Sequence, residues 1–202
     1  MMKTETTHKL TLISLAASLL MIAAAVGIAA NRGPADPDLS AGDPAAAAGS
    51  EEKFYFLASQ SSNSCGLQGD SLIGQFGEEG RIQGSCCSTM DIHSYQEQIE
   101  ALKQYSGIAE IPPDPYDVSV AQARVLLAYQ QEITLTSEQQ EVYKEAAETS
   151  EEGGPCCCKC WHWDAYEGLA KKLIAGYDWS AEQVAELWDL SDACGGPSHA
   201  HG

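Results

Sequence analysis

The sequence has few basic residues, with 11 lysines and arginines against 29 aspartates and glutamates, and its net charge is -18. Such an acidic surface repels phosphate backbones, so nucleic acid is excluded as a partner. The chain also lacks a glycine-rich phosphate loop, a serine–histidine–aspartate pattern and an internal repeat. Because no catalytic motif is present, a non-enzymatic function is the better expectation.

Long apolar runs are absent except near the amino terminus, where residues 10–30 carry no charge. This run is long enough to span a bilayer. Lys3 and Lys9 precede it, so the positive-inside rule places residues 1–9 in the cytoplasm and exports the remainder. We predict an uncleaved transmembrane signal-anchor with an extracytoplasmic C-terminal domain; cleavage at the small residues that end the run would give a secreted protein.

Composition divides the exported part into three segments. Residues 31–52 are rich in proline, alanine, glycine and aspartate without apolar periodicity, which predicts a flexible linker. A domain is predicted over residues 53–196, long enough to bury a core. Residues 197–202 are predicted to form a loose tail.

Apolar residues spaced three and four apart predict about five helices and a mainly α domain. Three pairs of residues predict where helices begin: Ser88 with Asp91, Thr136 with Gln139, and Ser180 with Gln183. The predicted helices cover residues 88–107, 118–132, 136–149, 163–177 and 181–193.

The amino-terminal part of the domain is predicted to be rich in loops. Residues 54–60, FYFLASQ, are apolar and aromatic and predict a short strand or an extended segment. Glycine and serine dominate residues 61–85, which predicts an irregular loop that holds Cys65.

Cysteine is abundant, with eight residues, and half of them lie within residues 156–160. An even number of cysteines in an exported chain is compatible with disulfides, and Cys65 with Cys194 is a candidate pair. Neighbouring cysteines are poorly suited to this role because vicinal disulfides are strained and long loops gain most from closure. The crowding therefore favours thiolate chemistry.

The segment 155–161 has two possible geometries. In an extended backbone the side chains alternate, so that one side carries Cys156, Cys158, Cys160 and His162 and the other carries Cys157, Lys159 and Trp161. If a helix begins near Cys158 instead, its N-terminal N–H groups would lower the thiol pKa values. Lys159 would either balance thiolate charge or be solvated.

A second group of soft ligands is formed by Cys86, Cys87, Met90 and His93. If helix extends back to Cys86, then Cys86, Met90 and His93 share one face. The alternative places Met90 in the core and His93 on the surface. Two further histidines, in the sequence HAH near the carboxyl end, could bind copper(II) or zinc weakly, although chance explains them equally simply.

These ligand types predict a site for a thiophilic metal ion. Thiolate and thioether with imidazole suit copper(I), and thiolate with imidazole suits zinc, although the Cys-x-x-Cys spacing typical of zinc sites is absent. A metal transporter or a redox partner would exchange the ion. The alternatives are a thiol–disulfide redox protein and a disulfide-stapled interaction domain. The candidate metal ligands are Cys86, Cys87, Met90, His93, Cys156, Cys157, Cys158, Cys160, His162 and Cys194.

The hexapeptide PCCCKC, Pro155 to Cys160, resembles the motif of the exported bacterial PCYCGC-motif proteins, also called the CYCXC family. Cys156, Cys158 and Cys160 match its three cysteines, and the resemblance extends over residues 136–194. The family's later Cys-x-x-Cys and its lipobox are missing here. The resemblance implies an anchored, extracytoplasmic protein that depends on its cysteines.

Overall fold

Helices dominate the computed structural model, which describes residues 42–195. The described part contains seven α-helices, two short 3₁₀ turns and one antiparallel pair of strands. In chain order the elements are α1 (Glu51–Ala58), a 3₁₀ turn (Gly69–Ser71), α2 (Leu72–Phe76), β1 (Arg81–Gln83), α3 (Ile92–Leu102), a 3₁₀ turn (Lys103–Tyr105), β2 (Asp117–Ser119), α4 (Val120–Glu132), α5 (Ser137–Thr149), α6 (Trp161–Tyr177) and α7 (Ala181–Leu190).

The prediction of a mainly α domain is confirmed, and the five predicted helices correspond to α3 to α7. Local capping explains where several of them begin. Complete capping boxes precede α5, with Thr136 and Gln139, and α7, with Ser180 and Gln183. The start of α3 was predicted too early, because the side chain of Asp91 caps the N–H of Ser94. Ser88 lies outside this helix.

The amino-terminal part of the domain differs from its prediction. Residues 54–58 are helical, not extended, because the Ser50 hydroxyl caps the N–H of Lys53 and two glutamates occupy the first turn of α1. Two residues of the expected linker, Glu51 and Glu52, therefore belong to this helix. The expected irregular region 61–85 contains both α2 and β1.

The main apolar core lies between α4, α6 and α7, and its largest fully buried side chains include Trp161 and Trp188. Helices α4 and α6 approach closely at Gly168. A Cβ atom there would lie 1.9 Å from the carbonyl oxygen of Leu126, so only glycine permits this packing. The amino end of α6, which follows the crowded cysteines, is thereby held against the core.

A second apolar cluster joins α1 and α3 through Phe54, Leu57, Tyr95 and Ile99. Beside it, the two strands pair with Ile82 opposite Val118 and Gln83 opposite Asp117. Because β1 ends at Gln83, this pairing fixes the start of the loop that carries Cys86 and Cys87.

None of the helices within residues 42–195 is long and apolar enough to cross a membrane. The predicted transmembrane segment 10–30, residues 31–41 of the linker and the tail with its two histidines lie outside the described residues.

Candidate metal centre

All eight cysteines of the chain meet in one region of the described structure. They come from four separate segments: the loop before α2, the loop after β1, the segment before α6 and the residues after α7. Their sulfurs form four overlapping groups, and within each group every sulfur lies within 4.8 Å of the others. The groups are Cys65–Cys86–Cys87–Cys158, Cys86–Cys156–Cys194, Cys87–Cys157–Cys194 and Cys156–Cys158–Cys160. We call these eight residues the sulfur cluster.

The sulfur–sulfur distances in the cluster are those of neighbouring ligands and not of bonded pairs. Cys194 Sγ lies 3.0 Å from Cys157 Sγ, 3.4 Å from Cys156 Sγ and 3.6 Å from Cys86 Sγ. Cys87 Sγ lies 3.8 Å from Cys157 Sγ and 3.3 Å from Cys86 Sγ. Two sulfurs bound to one ion at about 2.3 Å lie about 3.8 Å apart in a tetrahedral arrangement. The cluster therefore resembles a ligand set in its spacing.

All eight cysteines are free thiols in this structure. A disulfide requires a separation of about 2.05 Å between its sulfurs. The candidate disulfide between Cys65 and Cys194 is therefore not formed in this structure, and the eight cysteines do not staple the domain. The sulfur groups instead place Cys65 beside Cys86, Cys87 and Cys158.

Backbone pairing brings the loop after β1 to the end of the domain. The N–H of Cys86 donates to the carbonyl of Ala193, and the N–H groups of Cys87 and Ser88 donate to the carbonyl of Cys194. Gly195 follows with φ +76°, and a Cβ atom there would lie 2.4 Å from the Ser88 carbonyl oxygen. These contacts hold Cys86, Cys87 and Cys194 side by side.

The loop that carries Cys65 is fixed by the buried side chain of Asn63. Its amide nitrogen donates to the Gly84 carbonyl, and its amide oxygen accepts from the indole N–H of Trp161. One asparagine thus links the loop to the end of β1 and to the start of α6. The thiol of Cys65 donates to the Cys86 carbonyl at 3.3 Å.

The crowded segment is neither a β-strand nor the start of a helix. Residues 157–160 form bends, and α6 begins directly after them with Cys160 as its N-cap residue. Cys156, Cys158 and Cys160 do converge, as the extended geometry predicted. Cys157 was expected to point away from them, but it faces Cys87 and Cys194 in another group of the same cluster. Because the backbone bends, strict alternation fails.

Cys160, the N-cap residue of α6, has a lowered thiol pKa. The neighbouring thiols of Cys156 and Cys86 lower its pKa, and the N–H groups of Trp163 and His162 add to this effect against the cost of burial. Several neighbouring thiols show the opposite shift of their pKa. Hydrogen bonds with surrounding sulfurs raise the pKa of Cys156 and Cys86, and burial raises that of Cys158.

His162 lies in the first turn of α6, only 1% exposed and stacked on Tyr166 with 4.1 Å between ring centroids. Neither of its ring nitrogens has a hydrogen-bond partner among the described residues. Burial by itself lowers the pKa of His162, but the sulfurs of Cys156 and Cys160 outweigh burial and raise it. A buried imidazole without partners is costly unless something else binds it.

The other predicted ligands of the second group are placed differently. Because α3 begins at Ile92, Cys86 and Met90 lie outside it and do not share a helical face with His93. Met90 is buried in the second apolar cluster, and His93 is exposed on α3. The described sulfur groups contain cysteine only, including Cys87 and Cys194.

Cys65 is the ligand candidate that the sequence pattern did not reveal as part of the site. It stands alone in a loop, and no spacing connects it to the other cysteines. The only available signal was the total of eight cysteines in a chain whose clusters already suggested metal binding.

The surroundings of the cluster are acidic. A recess of about 330 Å³ lies next to it and includes Pro155 and Gly195, the direct neighbours of Cys156 and Cys194. Its carboxylates belong to Glu97, Glu151, Glu152, Asp189 and Asp192. Lys159 Nζ lies 3.0 Å from the centre of the Trp163 ring, where it makes a cation–π contact. The local field therefore attracts cations.

Soft sulfur ligands at these distances can bind a thiophilic metal ion. Three of the groups have three sulfurs and one has four. Three thiolates suit copper(I), and four suit zinc in a tetrahedral site.

Comparison with known proteins adds no relative: no family model, no curated protein and no solved structure matches this chain. The resemblance of Pro155 to Cys160 to the PCYCGC motif therefore stays a prediction.

Proposed function

We propose that this protein binds a thiophilic metal ion, copper(I) in preference to zinc, at the outer face of a membrane to which residues 10–30 anchor it. The observation that carries the proposal is the meeting of eight free thiols from four chain segments. A metal ion would explain why these thiols lie together, because a cation neutralises the thiolates that bind it.

Burial supports binding over simple core packing. Cys156, Cys160 and Cys194 are buried, and each has other sulfurs as neighbours. The neighbouring thiols of Cys156 and Cys86 lower the pKa of Cys160, which favours its thiolate form. A buried thiolate is unfavourable without a cation. His162 is close to Cys156, and its ring nitrogens have no hydrogen-bond partner among the described residues, but it belongs to none of the sulfur groups.

Copper(I) is favoured because the sulfur ligands are soft and mostly grouped in threes. Zinc sites commonly use tetrahedral sets of four ligands with Cys-x-x-Cys spacing. Only one group offers four sulfurs, and it draws them from three separate segments. Zinc remains the second candidate for that group.

The cellular role follows from the predicted topology. An exported, strongly acidic domain concentrates cations near the membrane surface. We propose that the protein handles or sequesters copper(I) there and exchanges it with a metal transporter or a redox partner. Cys87 and Cys157 are exposed, so the cluster is open to exchange at this end.

Thiol–disulfide exchange is less well supported as the function. Such chemistry needs a reactive thiolate that a substrate can reach. In this structure the thiol with the lowered pKa, Cys160, is buried. Burial raises the pKa of the exposed Cys87 thiol to about 12.

The test is copper(I) retention by the reduced full-length chain in detergent micelles, without oxygen and against a chromogenic copper(I) chelator. We expect wild type to retain copper and the double variant Cys86→Ser/Cys156→Ser to lose most of it. Met90→Leu is the control, since Met90 packs in the second apolar cluster. Release of all copper and all zinc by the wild type would falsify the proposal.

A further inference from the structure

The four sulfur groups are not independent of one another. Five cysteines belong to two groups each, namely Cys86, Cys87, Cys156, Cys158 and Cys194. Only Cys65, Cys157 and Cys160 belong to a single group. Four separate sites, three of three sulfurs and one of four, would need thirteen cysteines, and the chain has eight. The groups can be filled together only if ions share sulfurs.

Sharing is ordinary chemistry for a thiolate, because its sulfur has several lone pairs and can bridge two copper(I) ions. Bridging also reduces the net negative charge of each ion together with its thiolate ligands. One ion held by three thiolates carries a net charge of about -2, whereas sharing lowers the number of thiolates needed for each ion. This reduction matters here, since the adjoining recess contributes Asp192 and further carboxylates.

The geometry of the shared residues is consistent with bridging. Cys194 Sγ lies 3.4 Å from Cys156 Sγ in one group and 3.0 Å from Cys157 Sγ in another. It is 5% exposed, so it occupies the inner part of the cluster between the two groups. At the outer end, the exposed Cys87 and Cys157 give ions access from solvent.

We propose that the sulfur cluster binds about four copper(I) ions together, as one polynuclear centre bridged by the five shared cysteines. This inference rests on the proposed function, because it requires that the cysteines bind copper(I). It goes beyond that function by assigning the number of ions, the bridging residues and cooperative filling. Each cysteine releases its thiol proton to solvent when it binds.

The test is an anaerobic titration of the reduced full-length chain with copper(I), followed by native mass spectrometry and X-ray absorption. We expect apo protein and a species with about four ions to dominate at half loading, with copper–copper scattering in the absorption spectrum. A count of two or more ions with such scattering supports a bridged centre. A one-to-one complex, or stepwise filling without copper–copper scattering, overturns it and leaves the proposed function standing. Failure to retain any copper overturns both.

Serine variants test which residues bridge. Cys194 and Cys160 are both buried, but Cys194 belongs to two groups and Cys160 to one. We expect Cys194→Ser to lose about two ions and Cys160→Ser about one. The exposed Cys157 belongs to one group, so Cys157→Ser should also lose about one ion without risk to the core. Loss of only one ion by Cys194→Ser, the same as by Cys160→Ser and Cys157→Ser, would mean that Cys194 does not bridge two ions, which contradicts the proposal.

Discussion

Two regions of this molecule bury ionisable side chains. In one region these side chains have charged and hydrogen-bonding partners, and in the other they largely lack them. Around β2, the carboxylate of Asp117 is surrounded by partners: Lys53 Nζ at 2.6 Å, the guanidinium of Arg81, and the amide of Gln83 at 2.9 Å. In the sulfur cluster the thiols have mainly one another, and the ring nitrogens of the adjacent His162 have no partner among the described residues.

The comparison shows in which region the buried polar groups are satisfied by other residues of the protein. Burial by itself raises the pKa of Asp117, but hydrogen bonds from Arg81, Lys53 and Gln83 outweigh burial and lower it. The charge of Asp117 is therefore neutralised by the protein itself. In the sulfur region Lys159 lies over the Trp163 ring, and we propose that metal ions supply the neutralising charge there.

The largest expected effect is that copper(I) stabilises the sulfur region and, through it, the domain. At free copper(I) about a thousand times the dissociation constant, the free energy of unfolding should rise by about 4 kcal/mol or more, because ions bind the folded state. Urea unfolding followed by circular dichroism, with and without copper(I), measures this. Equal unfolding midpoints with and without copper(I) would show that the sulfur region needs no ion for its stability, as the region around Asp117 needs none.

A second effect should be independent of metal. Asp117→Ala leaves Lys53 buried without its partner, so we expect the free energy of unfolding of the apo protein to fall by about 3–5 kcal/mol. The same urea experiment measures it. The control is Glu100→Ala, which breaks an exposed pair with Lys103 and should change stability little. If Asp117→Ala also lowered the copper count, the two regions could not be treated as separate.

The smallest effect concerns pH and a second buried carboxyl near the charge network. Burial raises the pKa of Asp114 to about 6 from its usual 3.8, although it accepts a hydrogen bond from Tyr95. The folded state therefore holds a proton that the unfolded state releases between about pH 4 and pH 6, so this group lowers stability as pH rises through that window. Its contribution is up to about 3 kcal/mol.

Urea unfolding at several pH values measures this contribution as the difference between wild type and Asp114→Asn. The decline in stability between about pH 4 and pH 6 should be weaker in the variant, because asparagine does not titrate. Asp117 acts with the opposite sign, since its lowered pKa costs stability only when the pH falls below its usual value. A variant with the wild-type slope would show that Asp114 is not the group responsible.

Several features of the fold were predictable from short stretches of sequence. The capping boxes at Thr136 and Ser180 predicted where α5 and α7 begin, because a cap and its partner lie three residues apart. The start of α3 was harder, since Ser88 and Asp91 are both good caps and only one is used. Ser88 instead donates two hydrogen bonds, from its hydroxyl and its backbone N–H, to the carbonyl of Cys194. A contact between residues so far apart in sequence cannot be read from a local pattern.

The sequence predicted that the candidate site consists mainly of cysteines, but it did not predict correctly which residues form the site. Cys156, Cys158 and Cys160 were expected to converge and do so. Cys65 joins them because Asn63 ties its loop to Trp161, across many residues of chain. Met90 and His93 looked like ligands only if a helix began earlier than it does.

By itself the sequence determined the five helices α3 to α7, the acidic charge and the abundance of soft ligands, because these depend on composition and on interactions between residues a few positions apart. Only the tertiary structure decided that four distant segments bring their sulfurs together, that none of them is paired in a disulfide, and that Asp117 is neutralised by Lys53 and Arg81. Those outcomes depend on how α4 and α6 pack and how the loop after β1 meets Cys194, and contacts between distant residues leave no periodic trace along a single chain.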